Sequence, residues 1–249
     1  MKAAEIAARR GHQVTLYEEK EKLGGRFLLA SIPPKKQILK DFIDQLERRL
    51  QKLPIKIIIG KTFSPASLRR GKPDAVIIAT GAKPFFPPID GIQGAKAISV
   101  EDALSSSTPL GKKVLVVGGG GIGADVADYL SENRKEVTLV EMREGIALDL
   151  VGHLQHFLNK RLREKGVQIL TSTKAIRFEK EGLWVEDSQG TKKLGGFDSI
   201  VIALGSIPND ELVKLLKGKV PEVYVVGDAS KPREVMEAVL EGEEVALKI

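Results

Sequence analysis

The chain has 249 residues, of which 42% are hydrophobic and 29% are charged, and its formal net charge is +6. This composition is typical of one or two globular domains. The absence of cysteine excludes disulfides, thiolate catalysis and cysteine-ligated iron–sulfur clusters.

Composition also bears on partners and location. Only three histidines are present, so we expect no metal site. Basic residues are scattered among acids and aromatic residues make up 5%, which argues against nucleic-acid binding. No apolar run is long enough to cross a membrane and the N-terminus does not resemble a signal peptide, so we expect a cytoplasmic protein. The high charge without cysteine is typical of a thermophile.

The start of the chain predicts a helix followed by a strand, and the same pattern returns after the midpoint. Residues 14–16 match residues 137–139 and Glu18 matches Glu141, an offset of 123 (141 − 18). The second copy follows a strand and a glycine loop, whereas the first begins inside the helix. We therefore interpret the chain as truncated, or as split from a larger protein. We expect the first sheet to lack its central strand or to have another segment in its place.

The repeat continues through the elements that follow. A helix at 36–53 and a strand at 55–59 correspond to a helix at 151–165 and a strand at 167–171. Residues 74–84 are mirrored by residues 198–208, at an offset of 124 (198 − 74). Apolar runs such as VIIAT and VLVVG are typical of parallel strands buried on both faces. The alternation predicts an α/β fold built from βαβ units.

Each half also carries a segment between its parallel strands. Residues 174–194 alternate in polarity and contain two turns, at 181–182 and 189–190, each with glycine as its second residue. This pattern predicts a small antiparallel meander. A shorter and less regular connection at 64–72 predicts a comparable meander in the first half. Connectors at 84–88 and 105–111 favour a domain boundary near the second of these.

One glycine motif carries most of the functional information. Gly118, Gly120 and Gly123 form G-x-G-x-x-G directly after a strand at 114–117 and open a helix. Glu141 ends the next strand, 18 residues (141 − 123) after the third glycine. This arrangement is typical of a dinucleotide site, where backbone amides approach a pyrophosphate and the acid binds a ribose. The acid favours NAD, although Arg143 keeps NADP possible.

The repeat register makes Glu18 the ribose-binding acid of a first dinucleotide site. The glycine turn at Gly24 and Gly25, followed by Arg26, is either a close approach of backbone to a cofactor or an ordinary turn. Asp228 follows a strand at 223–227. It lies at the strand end where α/β sheets bind ligands, or it caps the helix that starts near residue 233.

Four motifs in order resemble one family. LGGR at 23–26, ATG at 79–81, GGGGIGAD at 118–125 and YVVGDA at 224–229 resemble the flavoproteins with two dinucleotide-binding domains. The strongest likeness is to the C-terminal half of the 2,4-dienoyl-CoA reductase and trimethylamine dehydrogenase type of NADH:flavin oxidoreductase. The resemblance implies two Rossmann-like domains with parallel sheets. The FAD-binding domain covers 1–107 and 213–249, and the NAD(P)-binding domain, 108–212, is inserted into it.

The resemblance also implies roles for individual residues. It implies that Glu18 binds the FAD ribose, that Thr80 and Gly81 lie near the pyrophosphate, and that Asp228 binds the ribitol–phosphate part. It further implies that Asp125 lies near the nicotinamide. The remaining candidate cofactor-binding residues are Glu19, Ala79, Gly121, Ile122, Gly205 and Gly227.

Two departures from the family limit the expected function. Without cysteine the CxxC chemistry of the disulfide reductases is excluded, and the chain carries no N-terminal barrel with a substrate site. We expect a module that passes a hydride from NAD(P)H to FAD and electrons to an acceptor, such as a barrel domain or partner subunit, and we assign no catalytic residue. The alternatives are a structural module that binds ADP or another nucleotide without redox chemistry, and a docking subunit of a larger reductase.

Overall fold

We describe the fold from a computed structural model of the chain, which covers residues 1–70, 72–95, 97–180 and 182–249. The α-helices are α1 Lys2–Arg9, α2 Gly25–Ala30, α3 Gln37–Leu50, α4 Val100–Ser105, α5 Gly121–Glu132, α6 Gly152–Glu164, α7 Glu211–Leu216 and α8 Val235–Lys248. Short 3-10 helices form at Pro65–Arg70 and Gly227–Ala229. Within the described ranges, no helix combines the length and the apolar character needed to cross a membrane.

The strands are short, with three to six residues each. They are β1 Val14–Tyr17, β2 Ile55–Ile58, β3 Ala75–Ile78, β4 Ala82–Pro84, β5 Ala97–Ser99, β6 Lys113–Val117, β7 Glu136–Val140, β8 Gln168–Leu170, β9 Lys174–Glu179, β10 Gly182–Asp187, β11 Gly190–Gly195, β12 Ser199–Ile202, β13 Ser206–Pro208 and β14 Glu222–Val225. The α/β class and the parallel βαβ organisation expected from the sequence are confirmed.

The chain divides into two compact units. Unit 1 comprises residues 1–28, 37–83 and 206–249, and unit 2 comprises residues 29–36 and 84–205. These limits differ from the predicted bounds of 1–107, 108–212 and 213–249. The difference at the first boundary has a physical cause, because β5 pairs with β12 and so belongs to the sheet of unit 2.

Unit 2 is built on a parallel sheet in the order β5-β12-β6-β7-β8. Alternate residues of β6 face opposite sides of this sheet, as the two-residue period of a strand requires. Val114 and Val116 pack in the core shared with α5 and α6, whereas Leu115 and Val117 pack against side chains of the antiparallel strands. Burial on both faces explains why the strand is a continuous apolar run.

The antiparallel strands of unit 2 form the predicted meander. β10 pairs with both β9 and β11 in antiparallel register, and Phe178, Leu183 and Val185 carry its buried face. The turn at 189–190 joins β10 to β11 as expected. The turn predicted at 181–182 falls partly on Glu181, which lies outside the described residues.

The prediction of a comparable meander in the first half was wrong. Pro65–Arg70 forms a 3-10 helix rather than strands. Pro65 begins this helix, where the fixed φ of proline is favourable. The turn is closed by the Ser67 amide, which donates to the Ser64 carbonyl at 2.8 Å. The Ser67 hydroxyl also accepts from the Ser64 amide at 3.3 Å, so local hydrogen bonds take the place of strand pairing.

Unit 1 contains two separate parallel pairs, β1 with β2 and β3 with β14. Among the described residues no strand links the two pairs, which agrees with the expectation that this sheet lacks its central strand. The first pair packs in a small core with Leu23 and Leu50, and the second packs with Leu216 and Ala229.

A buried ion cluster fixes the helix that follows the glycine motif. Asp128 of α5 is fully buried, and its Oδ2 accepts from Arg161 Nε at 3.0 Å and Nη2 at 2.9 Å. Its Oδ1 accepts from Lys165 Nζ at 2.9 Å. Because a buried carboxylate is stable only when paired, the cluster holds α5 against α6.

We predict that Asp128→Asn destabilises unit 2 by about 2–3 kcal/mol, because the variant leaves two partly buried cations without their carboxylate. Urea unfolding is the measurement. The matched control is Glu136→Gln, which breaks an exposed pair with Lys112 at 2.7 Å and should leave stability nearly unchanged. Equal midpoints for both variants would contradict the role given to Asp128.

Candidate cofactor site

The glycine motif lies where the sequence predicts it. β6 ends at Val117, residues 118–120 form the loop, and α5 begins at Gly121 with Gly120 as its N-terminal cap residue. Ile122, a predicted cofactor residue, is the second residue of α5 and is 57% exposed. The loop therefore presents a helix N-terminus, whose first amides have no partner within the helix, at the carboxyl end of a central strand.

Glu141 is held directly against this loop. It is 5% exposed, and its Oε2 accepts from the Gly119 amide at 2.6 Å. Its Oε1 accepts from the Arg143 amide at 2.8 Å. The acid and the glycine loop, 22 residues apart in the chain, are thus neighbours in unit 2, as their spacing predicts.

Arg143 lies between two carboxylates. Its Nε is 3.2 Å from Oε1 of Glu141, and its Nη2 is 3.9 Å from Oδ1 of Asp149. The side chain is 43% exposed. Its positive charge is therefore already partly balanced in the free protein.

Asp149 was missed by the sequence analysis. Both of its carboxylate oxygens accept from the Gly121 amide, at 2.9 and 3.0 Å. The segment that carries it is fastened to the loop, because the Ala147 amide donates to the Gly119 carbonyl at 2.7 Å. Ala147 adopts a left-handed φ of +53° in this segment. The sequence has no motif that links residue 149 to residue 121.

Asp125 and Lys36 form an ion pair in unit 2, with Oδ2 and Nζ 2.8 Å apart. Burial raises the pKa of Asp125 above its ordinary value, and the neighbouring Asp128 raises it further. Lys36 and Arg161 act in the opposite direction. The family resemblance implied a role for Asp125, whereas Lys36 was predicted only as the start of a helix.

In unit 1, Glu18 follows β1 as the repeat register predicts. Its amide donates to the Ile58 carbonyl at 2.9 Å, and its Oε1 accepts from the Lys20 amide at 3.0 Å. The glycine turn that follows is present, with φ of +110° at Gly24 and +53° at Gly25. Arg26 donates from Nη2 to the Ser206 hydroxyl at 2.9 Å.

The other predicted residues of unit 1 follow one end of the β3–β14 pair. The parallel register pairs Ile78 with Val225, so Thr80 and Asp228 both come just after the same edge. The Thr80 hydroxyl donates to the Asn209 carbonyl at 2.7 Å. Asp228 accepts from the Arg233 amide at 3.1 Å. Of the two roles left open for Asp228, capping of α8 is excluded, because the residue at that cap position is Glu234.

The remaining predicted residues have simpler surroundings. Positive φ values are found at Gly81, Gly205 and Gly227, and the Gly227 amide donates to Glu241 Oε2 at 2.7 Å. Glu19 and Ala79 are exposed. The hydrogen bonds described above do not join Glu18, Thr80 and Asp228 to one another. The structure thus groups the residues of unit 2 closely and leaves those of unit 1 as separate strand-end positions.

A family profile described as pyridine nucleotide-disulphide oxidoreductase matches residues 1–242. The chain belongs to this family. Membership does not bring disulfide chemistry with it, because the chain contains no cysteine. It accounts for the strand, glycine loop, helix and acid that the structure brings together in unit 2.

Individual relatives are similar over the full chain. An NADH oxidase of Thermoanaerobacter brockii is 34% identical and matches 100% of this chain and 39% of its own. A metal reductase of Desulforamulus reducens is 30% identical over 98% of this chain and 42% of its own. The solved structure of a 2-naphthoyl-CoA reductase complex superposes with a TM-score of 0.94 at 30% identity, over 100% of this chain and 38% of that one. The chain thus spans less than half the length of these relatives.

We predict that Lys36→Met raises the pKa of Asp125 further, because the positive charge that opposes the effect of desolvation on this pKa is then removed. Carboxyl-carbon NMR titration measures this directly. An aspartate with a raised pKa binds a proton more readily in the folded state, so the stability of the variant should fall as pH rises from the ordinary aspartate range through the raised pKa. The control is Lys40→Met, which removes the exposed partner of Asp44. Identical Asp125 titrations in wild type and Lys36→Met would contradict the ion pair.

Proposed function

We propose that this chain is the nucleotide-binding part of a flavin-dependent NAD(P)H oxidoreductase. The observation that carries the proposal is the junction of β6, the glycine loop and α5, with Glu141 bonded to the Gly119 amide at 2.6 Å. The three atoms nearest to a Cβ placed on Gly120 would be Nη2 of Arg143 and the two carboxylate oxygens of Asp149, each at 3.7 Å. A dinucleotide pyrophosphate fits a glycine loop at a helix N-terminus, where backbone amides are close and a guanidinium lies beside them.

The chemistry of the site favours NADH as the nucleotide of unit 2. Glu141 offers carboxylate oxygens to the hydroxyls of an adenosine ribose, and it would repel a 2′-phosphate. Arg143 is the group that would accept such a phosphate. Its contacts with Glu141 and Asp149 compete with that role, which supports NAD over NADP.

We assign FAD to unit 1. Support comes from Glu18 at the end of β1, and from Thr80 and Asp228 beyond one edge of the β3–β14 pair, since ligands of α/β folds bind at the carboxyl ends of strands. An alternative is that unit 1 binds ADP or a similar nucleotide without redox chemistry, or serves as a docking module. The separation of β1–β2 from β3–β14 favours this alternative, because a continuous sheet supports the phosphate loop of a dinucleotide domain.

The finer family assignment is the 2,4-dienoyl-CoA reductase and trimethylamine dehydrogenase type. It is supported by the resemblance of the four motifs and by the likeness to a 2-naphthoyl-CoA reductase. The electron acceptor would be a barrel domain or partner subunit, since the relatives extend well beyond the matched region.

Nicotinamide and flavin supply the hydride and electron chemistry when bound. The part of this chain is to bind and orient them: the amides of the glycine loop hold the phosphates and Glu141 holds the ribose. Asp125 lies one turn into α5 and pairs with Lys36, which precedes α3. We assign this ion pair to the nicotinamide end of the nucleotide. We assign no proton-transfer residue.

Gly120→Ala should weaken NADH binding by about tenfold or more, because the added methyl occupies the face approached by the pyrophosphate. The fold should be unaffected, since Gly120 has φ −61° and ψ 177°, which alanine adopts readily. Gly152→Ala is the matched control, because its Cβ would have no neighbour within 4 Å. Fluorescence titration of NADH measures affinity, and thermal unfolding checks the fold.

The same proteins titrated with FAD test the redox assignment. We expect the visible band of bound flavin to appear and to bleach when NADH is added to wild type, and to bleach less readily in Gly120→Ala. NADH binding without any flavin binding would favour the structural alternative. NADH affinity unchanged by Gly120→Ala would contradict the assignment of the glycine loop.

A further inference from the structure

The carboxylate of Asp149 occupies the N-terminus of α5 in the free protein. Both oxygens lie within 3.0 Å of the Gly121 amide nitrogen. The N-terminus of a helix attracts anions because its first amides are unpaired and its dipole is positive there. Asp149 is thus an internal anion at the position where the motif binds a phosphate.

The backbone just before Asp149 is held by two hydrogen bonds. Before Asp149, the Ala147 amide bonds to the Gly119 carbonyl at 2.7 Å. The Ile146 carbonyl accepts from the Gln155 side-chain amide at 2.9 Å. The side chain of Asp149 itself is 54% exposed, so it has room to turn towards solvent without disturbing buried Ile146.

Arg143 connects Asp149 to the ribose acid. Its Nη2 lies 3.9 Å from Asp149, and its Nε lies 3.2 Å from Glu141. Departure of Asp149 from the loop would leave the guanidinium with one carboxylate fewer. An incoming phosphate would then gain both the Gly121 amide and a nearby positive charge.

We propose that Asp149 competes with the dinucleotide pyrophosphate: it caps the glycine loop when the site is empty and swings out when the nucleotide binds. This inference rests on the proposed dinucleotide site of unit 2. The competition lowers affinity for phosphate-bearing ligands in particular. It leaves the binding of an adenosine without phosphates unaffected, because both carboxylate oxygens of the ribose acid Glu141 accept from backbone amides, those of Gly119 and Arg143.

The test compares ADP-ribose with adenosine on the full chain by isothermal titration calorimetry. Asp149→Ala should tighten ADP-ribose binding by about three- to tenfold, the size expected for removing an anion from a helix N-terminus. Adenosine affinity should not change. Asp149→Asn, which keeps a hydrogen-bonding side chain without the charge, should give a smaller gain and covers the case in which the alanine variant folds poorly.

Glu144→Ala is the matched control. It removes the same charge from the same exposed segment, so it reports the general electrostatic effect alone. Equal gains in Glu144→Ala and Asp149→Ala would overturn the inference, and so would weaker ADP-ribose binding in both Asp149 variants, which would make Asp149 a structural support of the loop. If wild type binds ADP-ribose and neither Asp149 variant binds it more tightly, only this inference is overturned. Failure of every protein to bind ADP-ribose overturns the proposed function as well.

Discussion

The close contact between Gly123 and Gly118 is the constraint on which the site depends. A Cβ on Gly123 would lie 1.9 Å from the Gly118 carbonyl oxygen, far inside any permitted contact, so only glycine allows α5 to pack this tightly onto the end of β6. The direction of α5 follows from that contact. The helix N-terminus then faces the strand ends, where Asp149 reaches the first amide of α5 and Glu141 reaches the Gly119 amide of the preceding loop.

The helix carries the consequences of this placement along its length. Asp125 and Asp128 are three residues apart and are therefore neighbours on one face. Each needs a cation from elsewhere in unit 2: Lys36 binds the first, and Arg161 with Lys165 binds the second. The buried acids thus connect the nucleotide loop to α6 and to the segment around Lys36.

The sequence predicted those parts of the fold that local patterns determine. Continuous apolar runs identified β3, β6, β12 and β14, the repeat register identified β7, alternation identified the meander, and spacing placed Glu141 beside the glycine loop. Asp149 and Lys36 escaped detection because their partners are 28 and 89 residues (125 − 36) away, and a lone charged residue in a loop has no periodicity. The prediction of a meander in the first half was wrong because a proline and two serines favour a 3-10 turn over strand pairing. The predicted boundary near residue 107 overlooked β5, whose three residues give a weak strand signal.

The central claim is that the amides of the glycine loop receive the phosphates of a nicotinamide dinucleotide. Amide NMR of the ¹⁵N-labelled chain tests it most directly, through the resonances of Gly119 and Gly121 during titration with NADH. We expect the Gly121 amide, bonded to Asp149 in the free protein, to shift most strongly and to saturate together with Gly119. Saturable NADH binding that leaves both resonances in place would contradict it.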